Sequence, residues 1–467
     1  MTTTGDWLLL DPPSTSGYAR RASTRGKDNA PPAPFPSIDL ILLSGAIRQS
    51  GFAPRFLDAQ IRSWNWSKLI SESRALNVNG VISLVSATST RDELWWLGIL
   101  KHALGEVPMY AVAPLQLALD HATTRLLMDE HPWLNGFIMN TAENNVSELL
   151  TQPDAVPLNV AVRRGDSVVI PPTKVSYRED LRIPTPVHDI FRDPRYFFPQ
   201  SKRTPVTCVQ MSFGCPFTCE FCLDNALYRK ACYRPADDLI AELVEIDRLG
   251  FKEAYFKDLT FGLNKRITTE FLEKLASRAL ELRWLCTTRI DVAAERLLGA
   301  MKSAGCYGIE FGVESGLRHR RLANGKPIED DEIRNVFRRC KTLGLETTAF
   351  VMLGFEDETE MEIETTTRFI ESLGADYVSY NVVNILPHTP LAERAAREGF
   401  LSADTSDHRF QRSNLRLRYL SPQRLQTLRQ NAMRSFYTKP IRAIRRLTKT
   451  RSLFELRKLV HLGRALL

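Results

Sequence analysis

Met211-Ser-Phe-Gly-Cys215-Pro-Phe-Thr-Cys219-Glu-Phe-Cys222 sets three cysteines in a Cys-x3-Cys-x2-Cys spacing. The loop begins at Gly214 and follows an apolar run, Val206–Met211, that reads as a strand. Three soft thiolates on one short loop can wrap a corner of an iron–sulfur cube and leave one iron without a protein ligand. Structural zinc usually takes four protein ligands, and no second Cys-x2-Cys or His pair lies nearby. A four-thiolate electron carrier or scaffold stays open as an alternative, with Cys232 as its fourth ligand. Cys208, Cys286, Cys306 and Cys340 are scattered and read as packed apolar thiols. Eight cysteines in 467 residues are no disulfide scaffold. Clustering of three points to metal or redox chemistry in a reducing compartment.

Working outward from the loop, strands are expected at Val206–Met211, Glu253–Lys257, Arg283–Thr287, Gly308–Gly312, Glu346–Leu353 and Tyr377–Ile385, with helical patterns between them. Six strands with crossover helices predict a partial (β/α)6 barrel, whose chemistry belongs at the carboxyl ends of its strands. The cysteine loop follows the first of them. Upstream, strands at Trp7–Leu10, Arg55–Asp58, Val81–Val85, Met109–Val112 and Gly136–Met139 alternate with helices, one of them Ser37–Ser50. That alternation predicts an α/β, doubly wound, Rossmann-like domain. The expected division is 1–150 for this domain, 151–200 for a proline-interrupted linker, 201–390 for the barrel and 391–467 for a basic helical region. A hairpin, Leu158–Val162 with Ser167–Ile170, is expected inside the linker.

The loop resembles that of the radical S-adenosylmethionine (SAM) superfamily, including the aromatic Phe221 before the last cysteine. Later segments extend the likeness in order. Tyr255-Phe-Lys-Asp258-Leu-Thr-Phe matches an acid-bearing strand end, and Trp284-Leu-Cys-Thr-Thr-Arg289-Ile-Asp291 the next one. Gly308-Ile-Glu-Phe-Gly312-Val-Glu314-Ser315-Gly316 resembles the segment that contacts SAM. Gly354-Phe-Glu-Asp-Glu358-Thr359 matches the Gly-x-Pro-Gly-Glu-Thr turn with Pro-Gly replaced, and Leu386-Pro-His-Thr389-Pro-Leu the final Pro-Gly-Thr-Pro-Leu with His388 in place of Gly. The resemblance implies a 4Fe–4S cluster on Cys215, Cys219 and Cys222, whose open iron chelates the amino and carboxylate groups of SAM. It implies SAM contacts from Gly312, Glu314 and Ser315, and places Phe221, Asp258 and Arg289 beside the cofactors. Reductive cleavage of SAM then yields methionine and a 5′-deoxyadenosyl radical that takes hydrogen from an unactivated carbon of a small-molecule substrate. The electron is expected from a flavodoxin- or ferredoxin-type donor.

A doubly wound domain before such a barrel resembles the cobalamin-binding subfamily, in the branch of anaerobic Mg-protoporphyrin ester cyclases and hopanoid-modifying enzymes. Asp11-Pro-Pro-Ser14, Phe56-Leu-Asp58, Ser86-Ala-Thr-Ser-Thr90 and Phe436-Tyr-Thr-Lys-Pro440 carry the likeness. It implies cobalamin as a third cofactor and methyl transfer, ring oxidation or cyclisation. Two departures keep a cobalamin-independent radical reaction open. The glycine loops expected after the fourth and fifth strands read Val112-Ala-Pro-Leu-Gln-Leu and Asn140-Thr-Ala-Glu-Asn-Asn, and bulkier side chains there would crowd a cofactor tail.

Net charge is +8, yet residues 434–467 hold ten basic residues against Glu455 alone, so the remainder is near neutral. The amphipathic tail reads either as a helix packed on the barrel or as a peripheral contact with an anionic membrane. No nucleic-acid module is recognisable, and nucleic acid is not expected as a partner. With no run of about 20 apolar residues and a poor signal-peptide start, a cytoplasmic location is expected.

Overall fold

A computed structural model describes residues 5–13, 34–86, 89–141, 145–152, 155–170, 181–227, 230–401, 413–440, 450, 452, 454–456 and 458. Its first sheet contains β1 (Asp6–Asp11), β2 (Ala53–Asp58), β3 (Val78–Leu84), β4 (Met109–Val112), β5 (Gly136–Ile138), β6 (Val160–Arg164) and β7 (Ser167–Val169). The strand order is β2-β1-β3-β4-β5-β6-β7. The first five strands are parallel; β6 and β7 add an antiparallel hairpin at the edge. Pro153, Pro171 and Pro172 fall outside the described residues, but the hairpin carries this sheet to Val169.

Beyond it come β8 (Val206–Val209), the two-residue ribbon β9 (Ser212–Phe213) and β10 (Cys232–Tyr233), then β11 (Glu253–Phe256), β12 (Arg283–Thr288), β13 (Cys306–Glu314), β14 (Glu346–Leu353) and β15 (Tyr377–Val382). Six of these form an all-parallel sheet ordered β15-β14-β13-β12-β11-β8. One face, with Phe256, Trp284, Ile309 and Phe311, packs on the crossover helices. Side chains alternate along a strand, so Tyr255, Glu310 and Thr348 point to the concave side.

The helix Ile38–Gln49 joins the two sheets. Residues Leu40 to Ile47 are all buried, as an all-round apolar helix must be. Leu40, Leu43 and Ile47 share a core with Leu9 and Ile82 of the first sheet, and that core continues to Cys208, Tyr255 and Leu285 of the second. On its other side, Leu42 packs with Phe213 and Cys232.

The helix Pro422–Thr438 closes the far edge. Arg429 Nε donates to Tyr380 O, while the Tyr437 hydroxyl accepts from Val378 N and donates to Val378 O. Residues 441–449 and 459–467 of the basic tail lie outside the described set, but Lys458 reaches the amino-terminal end of the barrel. It donates to Ser201 O, and burial lowers its pKa to about 8. Among the described residues, no helix is long and apolar enough to cross a membrane.

Candidate active site

Asp258 fixes the start of the cysteine loop. Its carboxylate accepts from the backbone N–H of Met211 and Ser212 and from the Ser212 hydroxyl. Burial pushes this acid up to about 6 against those hydrogen bonds. Farther along, Glu220 N–H donates to Asn324 O, and Glu220 O accepts from Leu391 N–H. Arg394 bridges Glu220 and Glu356. Gly325 makes the Asn324 contact possible. It has φ +72°, and a Cβ there would lie 2.7 Å from Thr218 O.

Held this way, Cys215, Cys219 and Cys222 line one wall of a cavity of about 360 Å³ at the carboxyl ends of the barrel strands. Phe221, Arg289, Gly312 and Glu314 line it too, so four of the six other residues picked from the sequence converge there. Asp258 and Ser315 do not line it. Asp258 is committed to Met211 and Ser212, making it a support of the loop. The Ser315 hydroxyl faces back into the protein, accepting from Leu317 N–H and pairing with Thr366 Oγ1 at 3.2 Å. Cys232 packs with Leu42 and Phe213 instead of joining the wall.

Glu314 stands at a break in register between β13 and β14 with φ +65°. Such bulges re-aim a side chain, and this one turns the carboxylate into the cavity. Lys326, which the sequence reading missed, donates to Glu314 Oε1 and, at 3.0 Å, to Gly312 O. A Cβ on residue 312 would come within 2.5 Å of both Glu314 Oε1 and Lys326 Nζ, so a larger residue there would displace this pair. Arg289 Nη1 lies 3.4 Å from Cys219 Sγ. Burial pushes the Cys219 thiol pKa up, and Lys326 and Arg289 pull it back.

Behind Thr287, another lining residue, lies a buried polar group. Glu310 Oε2 accepts from Thr287 and Tyr255, and Gln200 Nε2 donates to Glu310 Oε1 at 2.6 Å and to Thr348 at 2.9 Å. Glu310 is thus a buried interior acid. Phe350, Met352 and Val382 make an apolar wall, with Asn381 and Asn384 beside them.

The donor set suits an iron–sulfur cube. A cube carried on thiolates would be anionic, and the buried cations Arg289 and Lys326 share the cavity with the three thiols. Among the described residues, no three His, Cys, Asp or Glu side chains converge as a single-ion site needs; cube thiolates each take a different iron and stand apart. The cobalamin edge fits less well. In place of a glycine loop after β4, Ala113-Pro114 lead into the helix Leu115–Leu119, whose Leu117 and Ala118 share a core with Leu227 just past Cys222. Thr141 donates to Asp39, whereas Ser14, residues 87–88 and residues 142–144 fall outside the described set.

Residues 209–370 match the Radical SAM superfamily model and form a radical SAM domain. An uncharacterized methyltransferase, PH0819, of Pyrococcus horikoshii is 23% identical, over 93% of this chain and 92% of its own. The anaerobic magnesium-protoporphyrin IX monomethyl ester cyclase of Cereibacter sphaeroides is 25% identical over 76% of this chain; the match spans only 60% of the cyclase. Among solved structures, the cobalamin-dependent SAM radical enzyme OxsB, with aqua-cobalamin and SAM bound, superposes with a TM-score of 0.70 at 14% identity, over 99% of this chain and 72% of that one. At that identity the superposition speaks for the fold: a Rossmann-like domain followed by a radical SAM barrel.

Proposed function

We propose that this radical SAM enzyme uses a 4Fe–4S cluster on Cys215, Cys219 and Cys222 to cleave SAM reductively and functionalise a carbon of a small-molecule substrate. The observation that carries this reading is the shared cavity, with three thiols on one wall and the Glu314–Lys326 pair on another. A reduced cluster with one open iron supplies the electron that splits SAM to methionine and a 5′-deoxyadenosyl radical. In this reading Lys326 turns from Glu314 to the SAM carboxylate, and Glu314 takes the amino group. Gly312 leaves room for both. Phe350, Met352 and Val382 exclude water around the adenosyl group, and Phe221 packs the loop against Phe355 and Leu391. The electron comes from a flavodoxin- or ferredoxin-type donor.

Methyl transfer with cobalamin is one reading: the name of PH0819 supports the methyl transfer and the cofactor bound in OxsB supports the cobalamin. A cobalamin-independent oxidation, cyclisation or rearrangement is favoured by the helix Leu115–Leu119 in place of a glycine loop. Anaerobic purification with hydroxocobalamin supplied, followed by iron and cobalt analysis, separates the two: iron without cobalt removes the methylating reading. The shared reading is tested by electron paramagnetic resonance of the reduced cluster. Adding SAM should change the spectrum, because an open iron gains ligands. An unchanged spectrum would favour a four-thiolate electron carrier.

A further inference from the structure

We propose that Arg289 sets the redox poise of the cluster by donating a hydrogen bond to the Cys219 sulfur, which makes the cluster easier to reduce. The inference rests on the cluster reading above.

Three contacts hold the guanidinium in place. Its Nε and Nη2 donate to Asp291 Oδ1 and Oδ2 at 2.9 and 2.7 Å. A fork held on that edge aims the remaining Nη1 at Cys219 Sγ, 3.4 Å away. The guanidinium also lies over the Phe217 ring, 3.6 Å from its centroid, and Phe217 belongs to the cysteine loop itself. The residue is 5% exposed. Arginine suits such a planar, stacked, forked site; lysine does not.

The sign follows from charge. Reduction adds one electron to an already anionic cluster, with no bond made or broken. A buried cation and an N–H···S contact favour the more negative state, and hydrogen bonds to cluster sulfurs are among the determinants of potential. Two counter-charges matter. Asp291 opposes Arg289, but its side chain is 28% exposed and water screens it. Lys326 is the other nearby cation, and buried Glu314 offsets it at close range. Lys326 acts on Cys219 through space, with Glu314 opposing it, whereas Arg289 both carries charge and donates a hydrogen bond to the Cys219 sulfur.

The test is a midpoint titration of the full chain, reconstituted anaerobically and monitored by electron paramagnetic resonance, with dithionite as the electron source and no SAM. Arg289→Met keeps an apolar stem over Phe217 but removes donor and charge. Its reduced-to-oxidised ratio at a fixed potential should fall about tenfold, equivalent to about 59 mV for one electron. Arg289→Lys, which keeps the charge but loses the fork and the stack, should recover less than half of that fall. A fully loaded Arg289→Met cluster with the wild-type midpoint would overturn the proposal. Should that variant fail to load, Arg289→Leu, also without donor or charge, is titrated instead, and a wild-type midpoint there overturns it equally. A wild-type chain that takes up no cluster would contradict the proposed function, a result separable from a loaded cluster with an unmoved midpoint.

Discussion

Glu314 shows how one backbone angle builds the site. A side chain at φ +65° costs on the order of 1–3 kcal/mol unless its surroundings fix it, and here Lys326 holds the carboxylate. Replacing Lys326 by Met should weaken SAM binding roughly 10- to 100-fold, the worth of one charge-assisted hydrogen bond. Equilibrium binding of SAM to the loaded variant checks this, and unchanged affinity would remove Lys326 from the SAM site. At this scale the cysteines were legible because cluster ligation is local: three thiols within eight residues suffice. Lys326 was not legible, since its role depends on a bulge at Glu314 and on Asn324 folding back onto Glu220. Asp258 and Ser315 matched the motif but face other partners, which no spacing argument can reveal.

Among the connecting elements, the turns beside the cysteine loop matter most. Gly325→Ala would place a methyl 2.7 Å from Thr218 O in a left-handed backbone conformation. Relief of that contact must come from the backbone, so the loop should loosen and iron per chain after reconstitution should fall, with the fold unchanged by circular dichroism. Undiminished iron content would contradict this role. The turn Gly354–Thr359 carries a pH dependence. Gly354 and Phe355 N–H both donate to Glu358 Oε2, and Oε1 has no hydrogen-bond partner among the described residues. Burial raises this acid to about 7. A carboxyl raised on folding is favoured while protonated, so its contribution is present at low pH and is lost as pH climbs from the unfolded pKa through about 7. Wild-type stability should drop by about 2 kcal/mol between pH 5 and 8 from this group, and Glu358→Gln should remove that slope in denaturant titrations. Most strands were legible to within a few residues from alternating apolar runs. The helices Leu115–Leu119 and Arg318–Ala323 were not. Both are short, and partners such as Leu227 for the first, and Asp357 and Glu362 for Arg320 of the second, are far away in sequence.

Across the whole molecule, the order of elements was readable because each sheet is a chain of local strand–helix units. Their union was less so. The helix Ile38–Gln49 is apolar on every side because sheet and barrel each claim a face, a fact its sequence states only as burial. The basic tail shows the same limit: composition left membrane contact open, and Lys458 is buried at the barrel's amino-terminal end. Contact of the basic tail with anionic lipid is a separate proposal, checked by sedimentation with anionic vesicles; a chain that stays in the supernatant contradicts it. Cleavage of SAM at the barrel mouth is read out as 5′-deoxyadenosine formed by the anaerobically reconstituted chain given SAM and dithionite. Wild type should form product and Cys219→Ala none; a fully loaded wild-type cluster that releases no 5′-deoxyadenosine would rule out SAM cleavage there.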